Sequence, residues 1–161
     1  MTEPPSVSRT QTVSRRPSFL ALRDRPDAIH RARAFVGAAI FGLPYAADEV
    51  ELIAVELITN ALRHAVRKLP IAEDLWPIGV QMTTTTRYLH LAVTDPDHRP
   101  MYAGHEGGLE TEHGRGLRIV DHLVAARWVT HAAHGKTVHV VVAASGVQLT
   151  PTELRQCGAG A

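Results

Sequence analysis

From Ala47 onward, apolar residues recur at Val50, Ile53, Ala54, Leu57, Ile58, Ala61 and Ala65, the three-to-four spacing of a helix with one buried stripe. Asp48 and Glu49 suit the positive N-terminal end of that helix. Upstream, Phe19 to Leu22 is a short apolar run fit for a strand. Asp24 then stands where it can cap a helix that opens at Pro26, carries Ala34, Phe35, Ala38 and Ile40, and stops at Gly42 and Pro44. Beyond Pro70 the period falls to two, at Ile78, Val80 and Met82 and again at Leu89, Leu91 and Val93, with a Thr-rich stretch between. This predicts a hairpin that ends at Asp95-Pro96. Residues 96–115 lose all periodicity, and a loop of that length in a compact domain implies a functional role, here a lid. A further helix is expected from Leu117 to about Ala126, then a second hairpin with strands Trp128 to His134 and Thr137 to Ala144 turning at Gly135-Lys136.

The order strand, helix, helix, two strands, long loop, helix, two strands predicts an α+β chain. Its layout is a two-layer α/β sandwich, a mixed and mostly antiparallel sheet with helices on one face. Residues 1–17, with Pro4, Pro5 and Pro17 among Ser, Thr and Arg, bury too little to offset ordering entropy and are expected to form a flexible tail. The domain is placed at 18–145, and 146–161 as a C-terminal tail.

Composition narrows the class. With 161 residues, 45% of them hydrophobic, one sizeable core is expected. The formal charge is +1 with both signs interleaved, which gives no electrostatic footprint for nucleic acid or an acidic membrane. The basic residues are nearly all arginine beside abundant alanine, the usage of a GC-rich genome, so the arginines carry no functional weight. The one cysteine, Cys157, allows no intramolecular disulfide and agrees with a reducing cytoplasm. No run approaches the roughly 20 apolar residues of a membrane span, and the polar N-terminus lacks a signal core.

Glu56, Asn60 and His64 lie four apart on the Ala47–Ala65 helix and form one polar line beside Ile53 and Leu57. Such a line is either a solvated helix edge or a partly enclosed site. As a site, the Asn60 amide oxygen is a hard ligand for Mg²⁺, which takes few protein ligands beside phosphate oxygens. Glu56 one turn away would orient or deprotonate the group that attacks a terminal phosphate. His64 is either a surface residue or a phosphate contact. Asp95 closes a strand at the mouth of the sheet, where a carboxylate either starts a turn or accepts from an amino group such as that of adenine. His113-Gly114-Arg115-Gly116-Leu117 directly precedes a helix. It is either a flexible loop or a phosphate-binding turn, with free N–H groups, the helix dipole and a charge-assisted contact from Arg115. Thr137 is either an ordinary strand residue or a partner of Asp95 at the base. Gly135-Lys136-Thr137 is no P-loop, because Thr130 stands where the earlier glycine is required and a hairpin surrounds it. Among the ten histidines, His98, His105 and His113 share the long loop, but no zinc-type spacing emerges.

In chain order, Glu56-Leu57-Ile58-Thr59-Asn60-Ala61, Val93-Thr94-Asp95, Gly114-Arg115-Gly116-Leu117 and Lys136-Thr137-Val138 resemble the GHKL ATPase superfamily of type II topoisomerases, histidine kinases and mismatch-repair ATPases. The resemblance covers about residues 18–145, and the short domain looks like the branch of anti-sigma-factor serine kinases and stand-alone regulatory ATP-binding proteins. It implies a Bergerat fold that binds ATP with Mg²⁺ beneath a mobile lid. It also implies Glu56 as general base, Asn60 as the magnesium ligand, Asp95 as adenine reader assisted by Thr137, and Gly114, Gly116 and Leu117 as lid residues around the phosphates. His64 matches a position often basic in the anti-sigma branch. The implied activity is bacterial serine/threonine protein kinase of anti-sigma-factor type, acting on an antagonist protein and sequestering a sigma factor in transcription regulation. The alternatives are a nucleotide-sensing module with little catalysis, or a simple ATP hydrolase. Whether the domain forms a homodimer is open. One departure stands out: the family's adenine motif often runs Asp-x-Gly-x-Gly, whereas Asp95 is followed by Pro96, Asp97, His98 and Arg99, with Gly104, Gly107 and Gly108 only later.

Overall fold

The computed structural model describes residues 16–63, 78–97, 112–133 and 135–159, with the backbone alone at 112–115. Among the described residues there are nine elements: β1 (Arg16–Leu22), α1 (Ala28–Ile40), α2 (Ala47–Ala61), β2 (Ile78–Thr84), β3 (Tyr88–Asp95), α3 (Glu112–Leu123), β4 (Ala126–Ala132), β5 (Gly135–Ala143) and α4 (Pro151–Gln156). The strands form one open sheet in the order β1-β2-β3-β5-β4. All four pairings are antiparallel. The predicted α+β sandwich is therefore present, and no parallel pair joins these described strands.

Strand alternation decides which face is covered. Leu22, Ile78, Val80, Met82, Leu89, Leu91, Val93, Val138, Val140 and Val142 point to one side and are buried there. Against them lie Ala28, Ala32, Val36 and Ile40, each four apart on α1, the stripe Val50, Ile53, Ala54, Leu57, Ile58 and Ala61 of α2, and Val120 of α3. Each large aliphatic side chain taken out of water there contributes about 1.5–3 kcal/mol, so this interface is what sets the helices on the sheet.

Several boundaries differ from expectation, each for a local reason. The first described helix starts at Ala28 with Asp27 at its N-cap, three residues beyond Asp24, because Asp24–Asp27 is spent on a tight turn in which Ala28 N–H bonds to Arg25 O. α3 begins at Glu112, so the Gly114–Leu117 stretch lies inside its first turns and not in a loop ahead of it. The second hairpin closes at the Ala132↔Gly135 pair, which puts Gly135 and Lys136 in β5 and not in the turn. Arg16 and Pro17, assigned to the N-terminal tail, pair with Thr84 and Thr83 in β1.

The stretch expected as a C-terminal tail holds α4. Thr150 caps it by accepting from Glu153 N–H at 3.2 Å while the Glu153 carboxylate accepts from Thr150 N–H at 2.8 Å, a reciprocal capping box with Pro151 at the first helical position. Arg87, in the β2–β3 turn, donates to Glu153 Oε1 at 2.6 Å and ties α4 to the sheet. This segment lies on the sheet face opposite the other helices, since Gly158 stands against the ring of Trp128. Trp128 there stacks on His139 (centroids 4.9 Å apart) and on His90 (5.4 Å). His90 Nε2 and His139 Nδ1 share a hydrogen bond at 3.1 Å, and Thr130 Oγ1 meets His139 Nε2 at 2.9 Å. No described helix is long and apolar enough to cross a membrane.

Candidate functional site

α2 carries the first half of the site. Its apolar stripe is buried, whereas Glu56 and Asn60, one turn apart beside that stripe, are half-buried. α3 crosses at this point and brings Gly116 onto Glu56. A Cβ built on Gly116 would stand 2.9 Å from Glu56 Cδ and nearer still to its Oε2, so a residue without a side chain is required for the carboxylate to lie where it does. Glu56 is thus held between two helices, beside the N-terminal turns of α3, where helix N–H groups and dipole favour negative charge. Leu117, the next residue, packs against the core, which anchors this end of α3 to the body of the domain.

The second half lies where β3 ends and β5 begins. Asp95 and Lys136 are cross-strand partners, and both side chains point to the helix-covered face. Asp95 is 4% exposed and Lys136 6%. Asp95 Oδ1 accepts from Asp97 N–H at 2.8 Å and from Lys136 Nζ at 3.1 Å. Lys136 Nζ also donates to the Asp97 carbonyl at 3.1 Å and lies 3.6 Å from Asp97 Oδ2. Burial pushes the Asp95 carboxyl above its ordinary range, while the Asp97 N–H and the Lys136 ammonium pull the other way. Gly135 makes this junction tight: its φ is +139°, and a Cβ there would stand 3.0 Å from Pro96 Cα and run into the Asp95 carbonyl.

The expected residues therefore divide. Glu56 and Gly116 meet, Asn60 stands one turn beyond Glu56, and Asp95 lies at the mouth of the sheet. Thr137 does not join Asp95. Its hydroxyl pairs with that of Thr94 at 2.8 Å on the opposite face, because successive strand residues alternate and the position facing Asp95 is Lys136. Leu117 packs against the core. His64, His98 and His105 lie outside the described residues, as do the side chains of His113 and Arg115; Gly114 is described by its backbone alone. Sequence reasoning missed Lys136 and Asp97 as members of the site. The signal was the period-two pattern Lys136, Val138, Val140, which faces the lysine inward with Asp95, Val93 and Leu91.

The sheet is thus flanked by a helix bearing Glu56 and Asn60, with the Asp95 carboxylate buried where β3 ends. The family model for the histidine kinase-like ATPase domain matches residues 22–143. The chain belongs to this family. Histidine kinase-like ATPase domains bind ATP, usually with Mg²⁺, and an ATP-binding regulatory function follows for this member. The matched span runs from the last residue of β1 to the last of β5 and takes in every element of the site. No curated protein matches the chain.

Proposed function

We propose that this histidine kinase-like ATPase domain is a serine/threonine protein kinase of anti-sigma-factor type that phosphorylates an antagonist protein and sequesters a sigma factor in the bacterial cytoplasm. The ATPase unit centres on residues 18–145, with β1 reaching back to Arg16. The reading is carried by the Glu56 carboxylate, lodged against Gly116 at the head of α3 one helical turn before Asn60.

In this reaction Glu56 takes the proton of the substrate hydroxyl as its oxygen bonds to the γ-phosphorus; the bond from that phosphorus to the β–γ bridging oxygen breaks, and ADP leaves. The donors at hand, one amide oxygen and one carboxylate, suit Mg²⁺, which takes few protein ligands beside water and phosphate oxygens. Asn60 would hold the ion, which when bound supplies charge neutralisation to the phosphates. Helix N–H groups near Gly114 and Gly116 favour the same anionic end, and Asp95 offers an acceptor to the exocyclic amine of adenine.

The test is phosphotransfer from ATP to candidate antagonist proteins. Glu56→Gln should keep nucleotide binding and lose transfer; transfer at the wild-type rate refutes the general-base assignment. Calorimetric titration with ATP and Mg²⁺ should show weakened binding for Asn60→Ala and Asp95→Ala. A second reading, a nucleotide-sensing module with little catalysis, is favoured by Lys136 on Asp95 and by Pro96-Asp97 in place of the family's glycines. It predicts binding without transfer, a partner interface that responds to ATP, and no effect of Glu56→Gln.

A further inference from the structure

Asp95 is the base-recognising carboxylate of the reading above, and one of its oxygens already holds two donors. Oδ1 accepts the Asp97 N–H at 2.8 Å and the Lys136 ammonium at 3.1 Å. The lysine is directed there from three sides. The β3–β5 register sets it opposite Asp95, the Asp97 carbonyl accepts from Nζ at 3.1 Å, and the Asp97 carboxylate adds charge at 3.6 Å. Gly135 lets the backbone of β5 come against Asp95 and Pro96, which fixes where the lysine stem starts. An adenine amine is a neutral donor, whereas an ammonium is a charged one, and hydrogen bonds to charged groups are the stronger. An incoming base therefore meets an acceptor whose charge is already matched.

We propose that Lys136 is a latch on the base-recognition carboxylate: it holds Asp95 in the nucleotide-free protein and must leave Oδ1 for an adenine nucleotide to bind. Lys136 is then the residue that sets nucleotide affinity, and the Asp97 side chain is a positioning group that keeps the latch closed. The proposal rests on Asp95 as the base acceptor, and the experiment separates the two ideas.

Wild type, Lys136→Met and Asp97→Asn are titrated with Mg²⁺ and ATP by calorimetry. Methionine keeps an unbranched apolar stem of similar reach and removes the charge. The difference between a charged and a neutral hydrogen bond corresponds to about tenfold in affinity, so Lys136→Met should bind ATP about tenfold more tightly. Asp97→Asn, which keeps the backbone groups and both members of the latch, should bind more tightly by a smaller factor. Alongside, the Lys136 Nζ resonance is followed by NMR in wild type and should shift as ATP saturates the protein. If wild type binds ATP but Lys136→Met binds with equal or lower affinity, the latch is overturned while Asp95 keeps its role. An unmoved Nζ signal at saturation overturns the latch in the same way. If wild type and both variants bind no adenine nucleotide, the base-acceptor reading falls and the latch with it. Should Lys136→Met fail to fold, Asp97→Asn and the NMR signal decide.

Discussion

Replacing Gly116 by alanine separates stability from chemistry at this site. The new methyl carbon would stand 2.9 Å from Glu56 Cδ. Ordinary carbon–carbon contact is about 3.5–4.0 Å, so the carboxylate must retreat by roughly 1 Å. The obstacle is the far end of a flexible side chain and not backbone, so the fold adapts by a rotamer change costing about 0.5–1.5 kcal/mol. Against that, alanine inside α3 gains about 0.8–1.0 kcal/mol over glycine. The two nearly cancel, and the midpoint of thermal unfolding should move by no more than about 3 °C for a chain of this size. Chemistry is less tolerant, since a misplacement of about 1 Å can cost on the order of 10²-fold in rate. Gly116→Ala should therefore keep its melting temperature and lose about 10²-fold in ATP-dependent phosphotransfer, measured with radiolabelled ATP beside a calorimetric scan. Wild-type transfer by this variant, or a midpoint lower by more than about 10 °C, would refute the reasoning that places Glu56 between the two helices for catalysis.

Gly135→Ala acts in the opposite way, because its Cβ meets backbone of Asp95 and Pro96 and its φ is +139°. A loss of about 3 kcal/mol or more is expected, seen as a lower denaturant midpoint, and an unchanged midpoint would contradict the tight β3–β5 junction. Burial, with the nearby His139, lowers the His90 pKa to about 4 from its ordinary 6.5. Neutral His90 thus contributes stability that is complete above pH 6.5 and is lost as pH falls from there toward 4; chemical denaturation across that window should show a slope that His90→Phe flattens. Thr150→Ala removes the cap of α4, worth about 1 kcal/mol, so amides of residues 153–157 should exchange roughly fivefold faster while those of β3 keep their protection.

Most of the architecture was legible because burial follows period. Ile78, Val80 and Met82, then Leu89, Leu91 and Val93, announce strands whose alternate residues face the helices, and Val50 through Ala61 announces α2. Where glycine interrupts a helix the pattern fails. Gly114 and Gly116 read as a loop, yet α3 runs through them because Gly116 is needed for contact with α2 and not for a turn. The Thr150-Pro151-Thr152-Glu153 capping signal was present in a stretch whose few apolar residues suggested a tail. Of the site, the order Glu56, Asn60, Asp95 and Gly116 could be seen in the chain. The Asp95–Lys136 pair could not, because it depends on the register of two strands that sets together residues 41 positions apart.

That same sheet order has a consequence for how the chain finds its fold. β2 with β3 and β4 with β5 are hairpins closed over short stretches of chain, whereas the β3–β5 seam joins Asp95 to a residue 41 positions away. Loop-closure entropy favours local pairings first, and non-local ones are assembled against it. The carboxylate and the ammonium arrive on separate hairpins, each hydrated until the two halves of the sheet meet, so the seam must strip water from both ions in the same step that pairs them.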